Sequence, residues 1–179
     1  KAVKIIKKNH GVQLDMDHLP LEDQKTFDLV CAGNTSGVFQ FESEGIKEVI
    51  RKIEPRTFED LIHINALYRP GPLGSGMVDD FIERKHGRQK IEYLFPELEP
   101  IIKNTYGVIV YQEQVMQIAS AVGGYSLGES DLLRRAMGKK KVEVMAEQKE
   151  IFLTRAKERN FDSKKANKLF ELMAHFAGY

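Results

Sequence analysis

Five of the eight residues from 134 to 141 carry a positive charge: Arg134, Arg135, Lys139, Lys140 and Lys141. Like charges gathered at one helix end repel each other unless an anion neutralises them. Phosphate is the obvious candidate, because a guanidinium can hold it through two parallel hydrogen bonds. The same cations would also complement the negative end of the helix dipole, so an ordinary solvated helix end explains the cluster equally well.

Two further places present cations. A second basic segment, residues 84–90, ends a predicted helix and could touch a nucleic-acid backbone. Acidic neighbours at Asp79, Asp80 and Glu83 balance it, which favours an ordinary surface. Arg69 precedes a Pro-Gly-Pro turn, which either presents its charge from a rigid loop or is simply structural.

Asp15 and Asp17 are the residues that most resemble a metal site. Alternate carboxylates on a strand point to one face and can hold two magnesium ions, as nucleotidyl transfer requires. Here they precede Pro20 and an incoming helix, where acidic residues usually cap and turn the chain. Histidines show no ligand spacing and Cys31 is the only cysteine. We therefore predict no metal site in this chain.

Composition makes the chain an ordinary globular protein. Of its 179 residues 42% are hydrophobic, and 27 basic residues nearly balance 26 acidic ones, for a net charge of +1. The net charge therefore does not predict a polyanionic partner, and any basic surface must be confined to one part of the protein. No apolar run is long enough for a membrane span, and the start lacks a signal peptide, so we expect a soluble, cytoplasmic protein.

Apolar residues recur every three or four positions through most of the chain, which predicts a mainly α fold with many short helices. Thr57 with Asp60, and Ser126 with Glu129, have the spacing of helix-capping boxes. Two apolar runs, residues 38–41 and 108–110, predict two short β segments. The Pro/Gly loop at residues 69–76 suggests a division into a helical subdomain of residues 1–72 and a second one of residues 73–179.

Five stretches, taken together and in order, resemble the bacterial DNA polymerase III alpha subunit family, the replicative family C polymerases. They are residues 37–45, 66–79, 106–116, 132–141 and 176–179. The resemblance covers nearly the whole chain and implies the first part of the fingers, a large helical region that follows the palm. The chain is then expected to be a fragment of a larger polymerase, with the first subdomain at the base of the fingers.

By that resemblance, the cationic cluster belongs to the binding of the incoming nucleotide. Nucleotide-binding residues are expected to be Arg134, Arg135, Lys139 and Tyr179. The expected DNA-binding residues are Lys140, Lys141 and Arg69. The catalytic carboxylates of the family lie in the palm, so no catalytic residue is expected here and the isolated fragment is expected to be inactive.

The resemblance also implies the cofactors and partners. The chain is expected to bind no cofactor itself, with Mg²⁺ held in the parent enzyme by palm aspartates that are absent here. Expected partners are the incoming dNTP, template–primer DNA, the palm and thumb of the same parent chain, and other replicase subunits through parts outside this chain, with no membrane. Two alternatives stay open: a stand-alone helical nucleic-acid-binding module, and an independent nucleotidyltransferase using Asp15 and Asp17.

Overall fold

The computed structural model describes residues 1–69, 72, 73, 76–138 and 142–177, without the side chains of residues 142, 143 and 177. Over these ranges the chain is mainly α-helical, as predicted. The α-helices are α1 (Ala2–His10), α2 (Gln24–Cys31), α3 (Glu44–Ile53), α4 (Phe58–Leu67), α5 (Met77–Lys85), α6 (Glu99–Ile102), α7 (Gln112–Gly123), α8 (Leu127–Gly138), α9 (Val142–Glu158) and α10 (Ser163–Ala177). Short 3-10 helices form at Met16–His18, Pro96–Leu98 and Lys103–Thr105.

Packing divides the chain into two compact units, Lys1–Leu61 and Ile62–Tyr179. The boundary falls inside α4, because that helix contributes residues to both units. The functional division predicted between residues 72 and 73 stays a prediction.

The first unit is built around the apolar face of α3. Its buried residues recur every three or four positions and are Ile46, Val49, Ile50 and Ile53. α2 packs against α3 and buries Phe27 and Val30. Asp23 begins α2, since its carboxylate accepts a hydrogen bond from the Thr26 N–H at 3.0 Å.

The second unit has its core among α7, α8, α9 and α10. α7 packs against α8 and α9, and α9 packs against α10. Its large buried side chains include Ile118, Val122, Leu133, Met137, Phe152, Leu169, Phe170 and Met173. The helical spacing of these residues, visible in the sequence, is what directs one face of each helix inward.

Gly123 allows the end of α7 to approach α9 closely. A Cβ atom added there would lie 2.8 Å from ring atoms of both Phe152 and Tyr125. Any larger residue at this position would therefore force these rings or the helix to shift.

The predicted strand at residues 38–41 is wrong. The Val38 N–H donates to the Thr35 carbonyl at 3.0 Å, and the Phe41 N–H to the Val38 carbonyl at 2.9 Å, which are turn hydrogen bonds. Gln40 has a left-handed φ of 64°, and the Phe39 side chain is 83% exposed. The Thr35 hydroxyl donates to the Phe41 carbonyl and closes the turn. Apolar residues here belong to consecutive turns, which alternation alone does not distinguish from a strand.

The predicted strand at residues 108–110 is also not confirmed, because it has no partner strand in the described part of the chain. Val108, Ile109 and Val110 are all buried, but the Val110 N–H donates to the Gln114 side chain at 2.8 Å. A short buried apolar run predicts a strand only where a neighbouring strand supplies its hydrogen bonds. Here the Gln114 side chain accepts the hydrogen bond that a neighbouring strand would otherwise accept.

Both predicted capping boxes are confirmed. The Thr57 N–H donates to Asp60 at 3.1 Å and the Asp60 N–H to the Thr57 hydroxyl at 3.2 Å. Ser126 and Glu129 make the same reciprocal pair before α8. The helical turns between residues 96 and 105 were not predicted, since each is too short to show a period.

No helix in the described ranges is both long and apolar enough to cross a lipid bilayer.

The core of the second unit predicts a contrast between two apolar side chains. Phe152 is fully buried, whereas Leu132 on α8 is 65% exposed. We expect Phe152→Ala to lower the free energy of unfolding by about 3–5 kcal/mol through the cavity that it leaves. Leu132→Ala should change it by about 0.5 kcal/mol or less. Urea unfolding of the two variants followed by circular dichroism measures both, and equal losses would contradict this packing.

Candidate functional site

A cleft of about 490 Å³ lies in the second unit beside the C-terminal half of α8. Its wall is formed by α4, the segment after α4, the start of α7, α8 and the end of α10. The residues that line it are Ile62, Asn65, Ala66, Arg69, Pro72, Val110, Tyr111, Gln112, Glu113, Val115, Arg134, Met137, Gly138 and Phe176. Mostly apolar walls with a few convergent polar groups are typical of ligand sites of this size.

Arg134 is held in the wall of this cleft from two directions. Its Nε and Nη2 donate to Asp131 Oδ1 at 3.0 and 2.7 Å, and its Nη1 donates to Gln112 Oε1 at 2.8 Å. About a third of the side chain, 31%, remains exposed. The guanidinium is thus fixed in place but accessible to a ligand.

Asp131 pairs with two adjacent arginines at once. Its Oδ1 accepts from Arg134 while its Oδ2 pairs with Arg135 Nε at 2.8 Å. Hydrogen bonding from Arg134 is the main cause that lowers the pKa of Asp131, and the charge of Arg135 adds to it. The carboxylate therefore stays ionised, and the three side chains together keep one net positive charge.

Gln114 fixes the backbone that forms the adjoining wall. Its Oε1 accepts from the N–H groups of Val110 at 2.8 Å and Tyr111 at 3.0 Å. Its Nε2 donates to the Ile101 carbonyl at 3.2 Å and to the Thr105 hydroxyl at 2.9 Å. Because Gln114 is only 6% exposed, this amide uses its full hydrogen-bonding capacity inside the protein.

The other end of α8 is fixed by Glu129. Its carboxylate accepts from Arg155 Nη2 at 2.8 Å and from the N–H and hydroxyl of Ser126. Arg155 also lies over the Tyr125 ring, 4.8 Å from its centroid. The hydrogen bond from Arg155, followed by those from Ser126, lowers the pKa of Glu129 from 4.5 to about 2. These contacts tie the start of α8 to α9.

The structure brings together two of the predicted site residues, Arg69 and Arg134, on the same cleft. Arg135 is 63% exposed and is not among the residues that line the cleft. The predicted site residues Lys139, Lys140, Lys141 and Tyr179 lie outside the described residues.

The second basic segment is internally compensated. Arg84 pairs with Asp80 at 3.2 Å, and its Nη1 reaches the Gly107 carbonyl at 3.3 Å. Arg88 makes two hydrogen bonds to the Glu83 carboxylate, at 2.8 and 2.9 Å. Arg84 and Arg88 are thus both paired with the acidic neighbours noted in the sequence, and the Arg84 side chain is only 16% exposed.

Asp15 acts as a local cap. Its Oδ1 accepts from the Asp17 N–H at 3.0 Å, and its Oδ2 pairs with His18 Nδ1 at 2.8 Å. The hydrogen bond from His18, followed by that from Asp17, lowers the pKa of Asp15. Over the described ranges, no three or more His, Cys, Asp or Glu side chains gather as metal ligands would.

Two residues of the site were missed by sequence reasoning. Asp131 precedes the arginines by three and four positions, the spacing of helical ion pairs, so its role was visible in the sequence. Gln112 lies 22 positions from Arg134, and only the packing of α7 against α8 brings them together. No local pattern signals that contact.

The sequence matches a family model over residues 1–160, described as the bacterial DNA polymerase III alpha subunit finger domain. Among curated proteins named DNA polymerase III subunit alpha, it is 51% identical over 176 residues to that of Aquifex aeolicus, which covers 98% of this chain. It is 50% identical to the subunit of Escherichia coli K12, in an alignment that covers 96% of this chain. It is also 50% identical to the subunit of Thermus aquaticus, in an alignment that covers 100% of this chain. The chain spans 15% of the length of each of these relatives.

The low pKa of Glu129 predicts how stability depends on pH. A carboxylate whose pKa falls on folding stabilises the folded state above its unfolded pKa, and this contribution is lost as pH falls from about 4.5 to about 2. We expect Glu129→Gln to destabilise the chain clearly at pH 7, and the difference from the original chain to shrink at pH 3. Urea unfolding at both pH values, with the exposed Glu147→Gln as control, measures this. A difference that stays constant with pH would contradict it.

Proposed function

The chain belongs to the finger-domain family of the bacterial DNA polymerase III alpha subunit, and from that premise we propose that it binds the triphosphate of an incoming dNTP within a DNA-directed DNA polymerase. In this proposal the chain works as the fingers of a longer polymerase, together with the palm and thumb of that parent chain. Other replicase subunits are engaged by parts outside this chain.

The observation that carries the proposal is the position of Arg134. A guanidinium has five N–H donors, and three of those of Arg134 are used by Asp131 and Gln112. Among the contacts of the described residues, one N–H on Nη1 and one on Nη2 remain. Charged N–H donors of this kind bind phosphate strongly, and Arg134 lies on a cleft that also contains Arg69.

The remaining site residues are assigned by the same proposal. Arg135, Lys139 and Tyr179 complete the nucleotide site, with Tyr179 near the nascent base pair. Lys140, Lys141 and Arg69 contact the backbone of the template–primer. The place of Arg69 on the cleft of Arg134 fits a phosphate close to the bound nucleotide.

The chemical contribution of these cations is electrostatic. Negative charge grows on the departing pyrophosphate during nucleotidyl transfer, and fixed guanidinium groups stabilise it without reorganising. Asp15 is hydrogen-bonded to its own neighbours, and among the described residues no three His, Cys, Asp or Glu side chains gather as metal ligands would. In the proposal Mg²⁺ is held by palm aspartates outside this chain.

Removing the Arg134 side chain tests the proposal directly. In a full-length alpha subunit carrying this segment, we expect Arg134→Ala to lower kcat/KM for dNTP incorporation by about 10- to 100-fold, the value of one or two charge-assisted hydrogen bonds. Single-nucleotide incorporation by rapid quench measures it. Arg88→Ala is the matched control, because Arg88 pairs with Glu83 and is not a cleft residue. Unchanged kinetics in Arg134→Ala, with its fold intact, would overturn the proposal.

The isolated chain provides a separate test against the two alternatives. We expect it to show no primer extension with Mg²⁺ or Mn²⁺, because the family's carboxylates lie elsewhere. Extension by the chain itself would support the independent nucleotidyltransferase. Strongly salt-dependent DNA binding by the chain, with a log–log slope of several phosphate contacts, would support the stand-alone binding module. Filter binding at two salt concentrations gives that slope.

A further inference from the structure

We propose that Gln112 is a positioning residue for Arg134, a role that rests on the nucleotide-binding function proposed above. Gln112 is the first residue of α7, and its side-chain oxygen accepts from Arg134 Nη1 at 2.8 Å. Asp131, at i−3 on the same helix as Arg134, holds Nε and Nη2. Asp131 and Gln112 accept hydrogen bonds from different nitrogens of the guanidinium. Its plane therefore cannot rotate without breaking at least one of these hydrogen bonds.

The chemical type of this second anchor matters. Asp131 already cancels one of the two charges of Arg134 and Arg135, and Glu113 adds a further carboxylate to the cleft wall. An anionic anchor at position 112 would remove the charge that attracts phosphate. A neutral amide oxygen orients the guanidinium and leaves its charge available.

The place of Gln112 is itself fixed by the buried Gln114. Gln114 accepts from the N–H groups of Val110 and Tyr111, the two residues immediately before Gln112. The same amide is held to Ile101 and Thr105. The backbone that leads into Gln112 is therefore held in place. The Gln112 side chain itself is exposed and can be replaced without disturbing the core.

Three substitutions in a full-length alpha subunit carrying this segment test the role of Gln112. Gln112→Met keeps the length and removes the acceptor, and we expect it to raise the KM for dNTP by about three- to tenfold while leaving the dissociation constant for primer–template unchanged. Gln112→Glu restores an acceptor but adds a charge that competes with phosphate, so its KM should exceed that of Gln112→Met. Gln117→Met, also exposed on α7, should match the original enzyme.

A double-mutant cycle with Arg134→Ala separates positioning from a general structural effect. If Gln112 acts through Arg134, adding Gln112→Met to Arg134→Ala should change KM by about twofold or less. Full additivity would overturn the inference. So would an unchanged KM in Gln112→Met while Arg134→Ala raises it, or an equal rise in Gln117→Met. Arg134→Ala without effect would instead overturn the proposed function, and the inference with it.

Discussion

The cleft depends on one buried amide. Gln114 satisfies two N–H groups of an extended segment that has no strand beside it, and it binds that segment to the turn at Thr105. Unpaired buried N–H groups are costly, and loss of this side chain would leave the N–H groups of Val110 and Tyr111 without these acceptors. These hydrogen bonds fix the backbone immediately before Gln112.

α8 is fixed by charge at both ends, but in opposite ways. At its start, Glu129 complements the positive end of the helix dipole and joins α9 through Arg155. Near its end, two adjacent arginines share Asp131, whose negative charge offsets their mutual repulsion. The sequence suggests phosphate as the neutralising anion, whereas the structure contains an internal one. The internal carboxylate explains how two neighbouring cations are tolerated on one helix, with one positive charge left over.

Local chemistry could be predicted from the sequence, and tertiary contacts could not. The capping pairs Thr57–Asp60 and Ser126–Glu129 depend on residues three positions apart, so their spacing was sufficient. The two strand predictions failed because strand formation needs a distant partner, and a turn or a glutamine provides the hydrogen bonds instead. For the same reason the sequence could mark Arg69 and Arg134 as cations but could not indicate that they line one cleft.

Anchoring Arg134 at three nitrogens also has a thermodynamic consequence. A free arginine side chain at a surface samples many rotamers, and a ligand that immobilises it must offset about 1–2 kcal/mol of conformational entropy. Here folding has already met that cost through Asp131 and Gln112. An anion that binds Arg134 would therefore lose less free energy to ordering the side chain, and would bind more tightly than to a mobile arginine. A lysine at this position, with a single ammonium that rotates freely, could not be held in this way.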